Sequence, residues 1–359
     1  MRRLASTLVL ACASACAASA PGAPPAPSPP AAASDAAALV LPGERHLANV
    51  RQLTFGGENA EAYFSFDGAR LVFQATPPGA GCDQLFVVGK DGEGLRRVSS
   101  GAGAVTCGYF FPGGDRIVYA STHGSGPACP PKPDLSQGYV WALHDYQLYT
   151  VRPDGTEERP LAHAPGSYNA EATLSRDGWI VFTSTRDGDL DLYKMRLDGS
   201  ELTRLTSTLG YDGGAFFSSD GKRIVFRASR PAPGAEEADY RRLLAERRVR
   251  PSRLEIYVMN ADGTDVRQVT RLGAASFAPF FHPDGRRIVF SSNVGDPRGR
   301  NFDLYLVNED GTRLERVTTS EVFDGFPMFS PDGKELVFAS NRGARARGET
   351  NVFIADWVE

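Results

Sequence analysis

The side chains best placed for chemistry in this sequence are acids, amides and arginines that return at fixed distances from a series of Asp-Gly turns. Eight positions before each turn aspartate stand Asn59, Asn169, Asp212, Ser276 and Asp324, with Thr106 the nearest match in an irregular second copy. Every one is polar. Two residues further on, Glu61 and Glu171 add carboxylates. A second column, at the end of the following strand, reads Pro77, His123, Arg186, Arg230, Val294 and Arg342. Acids and arginines that converge on a concave mouth make a binding site for a polar ligand or a peptide. Paired carboxylates such as Glu61, Glu171 and Asp212 could instead act as acid and base on a polysaccharide or peptide, provided one pKa is raised. The structural alternative is that Asn and Asp cap turns while the arginines bridge neighbouring elements.

A second group of candidates lies in long insertions. One, Pro127 to Tyr146, offers Tyr139, Trp141 and His144 as an aromatic contact surface. Another holds a helix expected from Glu236 to about Val249, with Tyr240, Leu243 and Leu244 on one face and Arg241 among the arginines on another. It suits a lid or a partner-binding helix, or simply packs on a neighbouring loop. No nucleophile elbow, phosphate loop or dinucleotide fingerprint appears, and Cys and His spacings suggest no metal and no cofactor.

The elements that position these residues are repeats. An apolar strand ends in a tight turn at Phe64-Ser65-Phe66-Asp67-Gly68, and the pattern returns at Leu174–Gly178, Phe217–Gly221, Phe281–Gly285 and Phe329–Gly333, with a degenerate copy at Phe111–Asp115. Asp bonds its own backbone and Gly accepts a positive φ, which makes a hairpin turn. An alternating strand follows each turn, for example Ile180-Val181-Phe182, and a third strand follows a variable loop, for example Leu192-Tyr193. A second Asp-Gly turn then leads to a fourth strand ending in Val-Ser, Leu-Thr or Val-Thr. Each unit is thus a four-stranded antiparallel meander of blade size, and such sheets bury both faces when arranged around an axis. The sixth copy stops after its third strand, and Val50-Arg51-Gln52-Leu53-Thr54 matches the missing fourth. The expected fold is an all-β, six-bladed propeller over residues 45–359, closed by that N-terminal strand, which removes free sheet edges. All the long insertions fall on the face carrying the strand-two to strand-three loops.

The ends and composition add location. Arg2, Arg3 and the run Leu8-Val9-Leu10-Ala11 read as an export signal within residues 1–20, too short to span a bilayer. Cys12 and Cys16 each sit in a lipobox-like setting, so one of them is the expected lipidation site, followed by an Ala/Pro-rich disordered tether over 21–44. Ala after either cysteine points to the outer membrane of an exported, periplasmic protein. An oxidising compartment lets two of Cys82, Cys107 and Cys129 pair, and spacing leaves the choice open. A net charge of -4 gives no sign of nucleic-acid binding.

The copies Phe-x-x-Asp-Gly-x-x-Ile-Val-Phe … Leu-Tyr … Asp-Gly-Thr … Leu-Thr resemble the TolB-like, WD40-like propeller repeat of exported bacterial proteins, over about residues 47–358. TolB itself carries a folded α/β domain before its propeller, where this sequence has only the low-complexity stretch. The resemblance implies fold more than function. The expected role is an envelope-anchored, monomeric binding or scaffold module that engages an envelope protein or a glycan, touching the membrane only through a lipid anchor. The rival is the hydrolase or lyase described above, and a minor third reading is a stand-alone gate related to peptidase-linked propellers.

Overall fold

A computed structural model describes residues 39–136 and 138–359. The export signal, Cys12, Cys16 and most of the expected tether lie outside these residues. Six four-stranded antiparallel sheets follow one another along the chain. Their innermost strands are Glu58–Phe64, Val105–Phe110, Asn169–Leu174, Asp212–Phe217, Ser276–Phe281 and Asp324–Phe329, which define blades one to six.

The closure is as the sequence implies. Leu47–Gln52 pairs antiparallel with Asn351–Trp357, the third strand of blade six, in the register Leu47↔Trp357 to Gln52↔Phe353. His46 stacks on Trp357 at 4.7 Å, and its Nδ1 lies 2.7 Å from the Val358 carbonyl. Strands from both ends of the described chain therefore share one sheet, in which Leu47–Gln52 is the outer strand and covers the edge of Asn351–Trp357.

Three repeated devices explain why the sequence folds this way. The aromatic residue of each second strand faces an aromatic residue of the third, as Phe73–Phe86, Tyr119–Tyr149, Phe182–Tyr193, Phe226–Tyr257, Phe290–Tyr305 and Phe338–Phe353. Their ring centroids lie between 5.6 Å and 6.0 Å apart. Such pairs add about 0.5–1.5 kcal/mol each beyond area burial. The hydroxyl that ends the outer strand then latches the blade: Ser99, Thr206, Thr270, Thr318 and Thr54 each accept the first apolar backbone N–H of the third strand at 2.8–3.0 Å. That bond is the physical content of the recurring Val-Thr ending. Thr54 makes it from the far end of the chain, which is why Val50–Thr54 can complete blade six.

The third device shapes the centre. Every innermost strand carries a register shift at one position. Glu61, Cys107, Glu171, Gly214, Ala278 and Phe326 occupy it with φ between 50° and 59°. A bulge re-aims the side chain, here into the axial channel, and leaves a backbone N–H without its ladder partner. The preceding blade supplies that partner in three cases: Gln74 accepts from Cys107 N at 3.0 Å, Glu171 from Gly214 N at 2.9 Å and Ser291 from Phe326 N at 3.0 Å.

The structure corrects the expected tether at its end. Leu39 and Val40 pack on the blade-six core, and Glu44 is buried, accepting bonds from Arg342 at 2.7 Å and from the Thr319 N–H at 3.1 Å. Apolar Leu39 and Val40 have somewhere to bury, so residues 39–44 join the fold. The helix is also shorter than expected, Ala235–Ala245. Arg248–Val249 is instead a strand paired with Trp141–Ala142, in the register Val249↔Trp141. Insertions of blades two and four thus meet in a two-stranded ribbon. Among the described residues no helix is long and apolar enough to cross a membrane.

Candidate functional site

The axial channel is divided by an aromatic belt. Tyr63 meets Phe216 edge-on at 5.3 Å, Tyr109 lies 5.8 Å and 6.1 Å from these two, and Phe280 lies 5.3 Å from Phe216. Below the belt, towards the first-turn face, a cavity of about 60 Å³ is lined by Phe64, Phe66, Leu174, Met328 and neighbouring turn residues. Above it, towards the insertions, the bulge ring lines a narrow lumen of about 20 Å³.

The upper lumen has two unlike sides. On one, Glu171 and Arg227 form a buried ion pair across blades three and four. Glu171 also accepts from Thr183 Oγ1 at 2.6 Å, Tyr211 OH at 2.8 Å and Gly214 N at 2.9 Å. Tyr211 in turn accepts from Arg227 Nε at 3.0 Å. Arg227 lies so close to Gly214 that a Cβ there would collide with the guanidinium, and a φ of +57° makes glycine the fitting residue. Trp141 of the ribbon covers the pair, its ring 5.2 Å from the Arg227 guanidinium and 6.1 Å from Tyr211. The other side is apolar, formed by Ala278 and Phe326.

Glu61 stands apart. Among the described residues its one hydrogen bond comes from the Cys107 thiol, Sγ to Oε2 at 2.8 Å. Burial pushes its pKa up to about 7, the thiol bond and Arg227 oppose the rise, and Glu171 and Asp83 add to it. Burial raises the Cys107 thiol as well, so it stays a neutral donor.

The two polar columns read from the turn spacing come together, but between strands and not on open channel wall. Asn169, Asp212, Ser276 and Asp324 are fully buried, and Asn59 nearly so. Arg186 bonds Asn169 at 2.9 Å, Arg230 pairs with Asp212 at 2.7 Å and Arg342 with Asp324 at 2.8 Å. The same arginines lie over the aromatic pairs, Arg186 at 4.8 Å from Tyr193, Arg230 at 5.1 Å from Tyr257 and Arg342 at 5.3 Å from Phe338. Asn59 donates to the Gly56 and Thr350 carbonyls. In blade two the column position belongs to Val105, which faces Ser121 as Asn169 faces Ser184, so Thr106 is one residue out of register. Burial pushes Asp212 up to about 7 against the pull of Arg230.

The insertion candidates lie on one rim. Tyr139 is exposed, and its hydroxyl accepts from Trp141 Nε1 at 3.2 Å. Burial and Arg247 hold the His144 pKa below its usual range. Tyr240 is buried against blade three through Asp189, and Arg241 is exposed, bonded to Glu237 one helical turn earlier at 2.9 Å. Cys82 and Cys129 form a disulfide that staples the insertions of blades one and two, while Cys107 is free. Among the described residues no group of three or more His, Cys, Asp or Glu is gathered to hold a metal ion. Arg227, Tyr211 and Tyr63 were invisible to the spacing argument. The signal for Arg227 is a charge interrupting the apolar second strand Ile224-Val225-Phe226.

A closed six-bladed ring with a plugged axis and one decorated face is the class that fold and site define. Its repeats are similar to those of TolB homologues. A protein TolB homolog of Chlorobium luteolum is 31% identical over 179 residues, 42% of this chain and 41% of the relative. The chain spans less than half the length of the curated relatives it matches. No family model matches. Among solved structures, a putative TolB from Agrobacterium tumefaciens superposes with a TM-score of 0.57 at 19% identity, covering 84% of this chain and 91% of that one. A gluconolactonase from Xanthomonas campestris gives 0.57 at 14% identity, covering 92% and 98%. At such identities the likeness is one of fold.

Proposed function

We propose that this protein is an exported binding or scaffold module of the cell envelope that engages a protein or glycan through its insertion-bearing face. The observation that carries this is how the insertions are built. Those of blades one, two and four are joined to one another, by Cys82–Cys129 and by the Trp141–Val249 ribbon, into one connected surface. Loops that merely grew on a scaffold have no need of such cross-links; a surface held together in this way is preorganised. The TolB-like fold and the disulfide support export to an oxidising compartment, and Cys16 or Cys12 remains the proposed lipid anchor.

The enzymatic alternative draws less support. Asp212 is sealed beside Arg230 and Glu171 is occupied by four donor groups, so neither presents a free carboxylate to a substrate. The test is cross-linking in intact envelopes with a photoreactive residue at Tyr139, compared with one at Asp262 on the opposite face. A single adduct formed from Tyr139 and lost in Trp141→Ala is the expected result. Equal labelling from both faces, or turnover of an oligosaccharide or peptide panel, would overturn the reading.

A further inference from the structure

Within the upper lumen the charges do not balance. Glu61 and Glu171 face the single guanidinium of Arg227, and Glu171 holds that guanidinium in its own network. Glu61 lines the lumen with only a neutral thiol as hydrogen-bond donor. The surrounding wall is apolar and aromatic, with Ala278, Phe326, Phe216 and Tyr63. Tyr63 and Phe216 of the belt line the lumen, which lies on its insertion side.

We infer that Glu61 receives a slender primary ammonium, the tip of a lysine side chain that a bound protein or peptide inserts into the channel. Three features select that group. The carboxylate offers a charged acceptor in a poorly hydrated setting, where an ammonium forms a charge-assisted bond. The apolar wall suits the methylene stem behind it, and the aromatic faces attract a cation. The lumen is narrow, about 20 Å³, which favours a compact ammonium over the wider planar guanidinium. Burying an unpaired carboxylate is costly without a counter-charge, and the inserted cation supplies one. The identity of the tip rests on the insertion-bearing face being the binding face. It also narrows the ligand to a protein or peptide.

The experiment uses small amines and no partner, so its failure is separable from failure of the binding-face reading. The mature protein is titrated calorimetrically with n-butylammonium, n-butylguanidinium and potassium chloride at constant ionic strength and pH 8. Amide shifts at Ala278 and Phe326 report where each binds. The expected result is saturable n-butylammonium binding that shifts those amides and weakens at least tenfold in Glu61→Gln. Wild-type binding should also fall away as pH drops below about 7 and the Glu61 carboxyl takes up its proton, which covers the case in which Glu61→Gln does not fold. No shift of these amides with n-butylammonium would overturn the inference, as would equal binding of butylguanidinium or potassium.

Discussion

The two faces of the ring are made by the same six inner and second strands, yet they differ in kind. On the first-turn face the chain repeats itself: Ser65, Ser218 and Ser330 each bond the turn aspartate two residues on, and the same serine caps the next strand. On the opposite face nearly every loop is individual, and two insertions from non-adjacent blades meet above the third. The repeated face shows what the ring needs in order to close. Whatever exceeds that need stands on the other face, and it is there that function should be sought.

The sharpest way to break this comparison is to remove part of the ring itself. Deleting Val50–Thr54 strips blade six of its outer strand and the Thr54 latch. Loss of a cooperative melt by circular dichroism is expected. A deletion that melts unchanged would show that the closure is dispensable.

Next in size is the ion pair that joins blades three and four on the insertion side of the channel. Arg227→Met leaves Glu171 buried without its cation, and breaking such a pair costs about 3–5 kcal/mol. Chemical denaturation should show that loss, and the double change with Glu171→Gln should recover much of it. Additive losses would mean the two residues are not coupled.

The disulfide separates the faces more selectively. Its 47-residue span corresponds to about 4 kcal/mol of lost denatured-state entropy, which Cys129→Ser should forfeit. Hydrogen exchange should then quicken in the insertions of blades one and two and stay slow at the first-turn hairpins. Uniform quickening would contradict a local staple.

The channel carboxyl gives a pH signature. The Glu61 carboxyl, ordinarily at 4.5, is raised to about 7 in the fold. Its neutral form is therefore favoured there, and the stability this brings is complete below about 4.5 and lost as pH rises through about 7. Arg227, Glu171, Asp83 and Cys107 are the groups that face it. Glu61→Gln should thus match the wild type at pH 4 and melt higher at pH 8, by up to about 3 kcal/mol. A constant offset across the range would exclude titration of this group as the cause.

How far the sequence reveals these features depends on their range. The blades were legible because the Asp-Gly turns, the alternating apolar strands and the Val-Thr endings all recur at short spacing, and the closure because Val50–Thr54 matched a strand missing at the other end. Glu61 and Glu171 were legible as inward carboxylates from their offset to the polar column. Their unlike fates were not, because Arg227 reaches Glu171 from another blade and has no counterpart in the other copies. The same limit explains the helix. Nothing local to Arg248–Val249 announces its pairing with Trp141–Ala142, which lies over a hundred residues away. The buried Asp212–Arg230 and Asp324–Arg342 pairs were visible as two columns, but spacing alone cannot tell a lining from a seam.

The smallest expected effect separates two features of the decorated face itself. The helix Ala235–Ala245 displays arginines, but Arg241 bonds Glu237 and Arg242 bonds Asp239 and Glu246 within the same surface. Exposed pairs of this spacing contribute about 0.3–0.5 kcal/mol and leave little net field to attract a partner. Trp141 differs, since it is an aromatic anchor set over the Arg227 guanidinium beside the exposed Tyr139. Arg241→Ala should therefore lower stability by at most about 0.5 kcal/mol and leave cross-linking from Tyr139 intact. Trp141→Ala should abolish that cross-link. If Arg241→Ala removed the adduct and Trp141→Ala spared it, recognition would be electrostatic and seated on the helix, and the channel mouth would lose its place as the binding site.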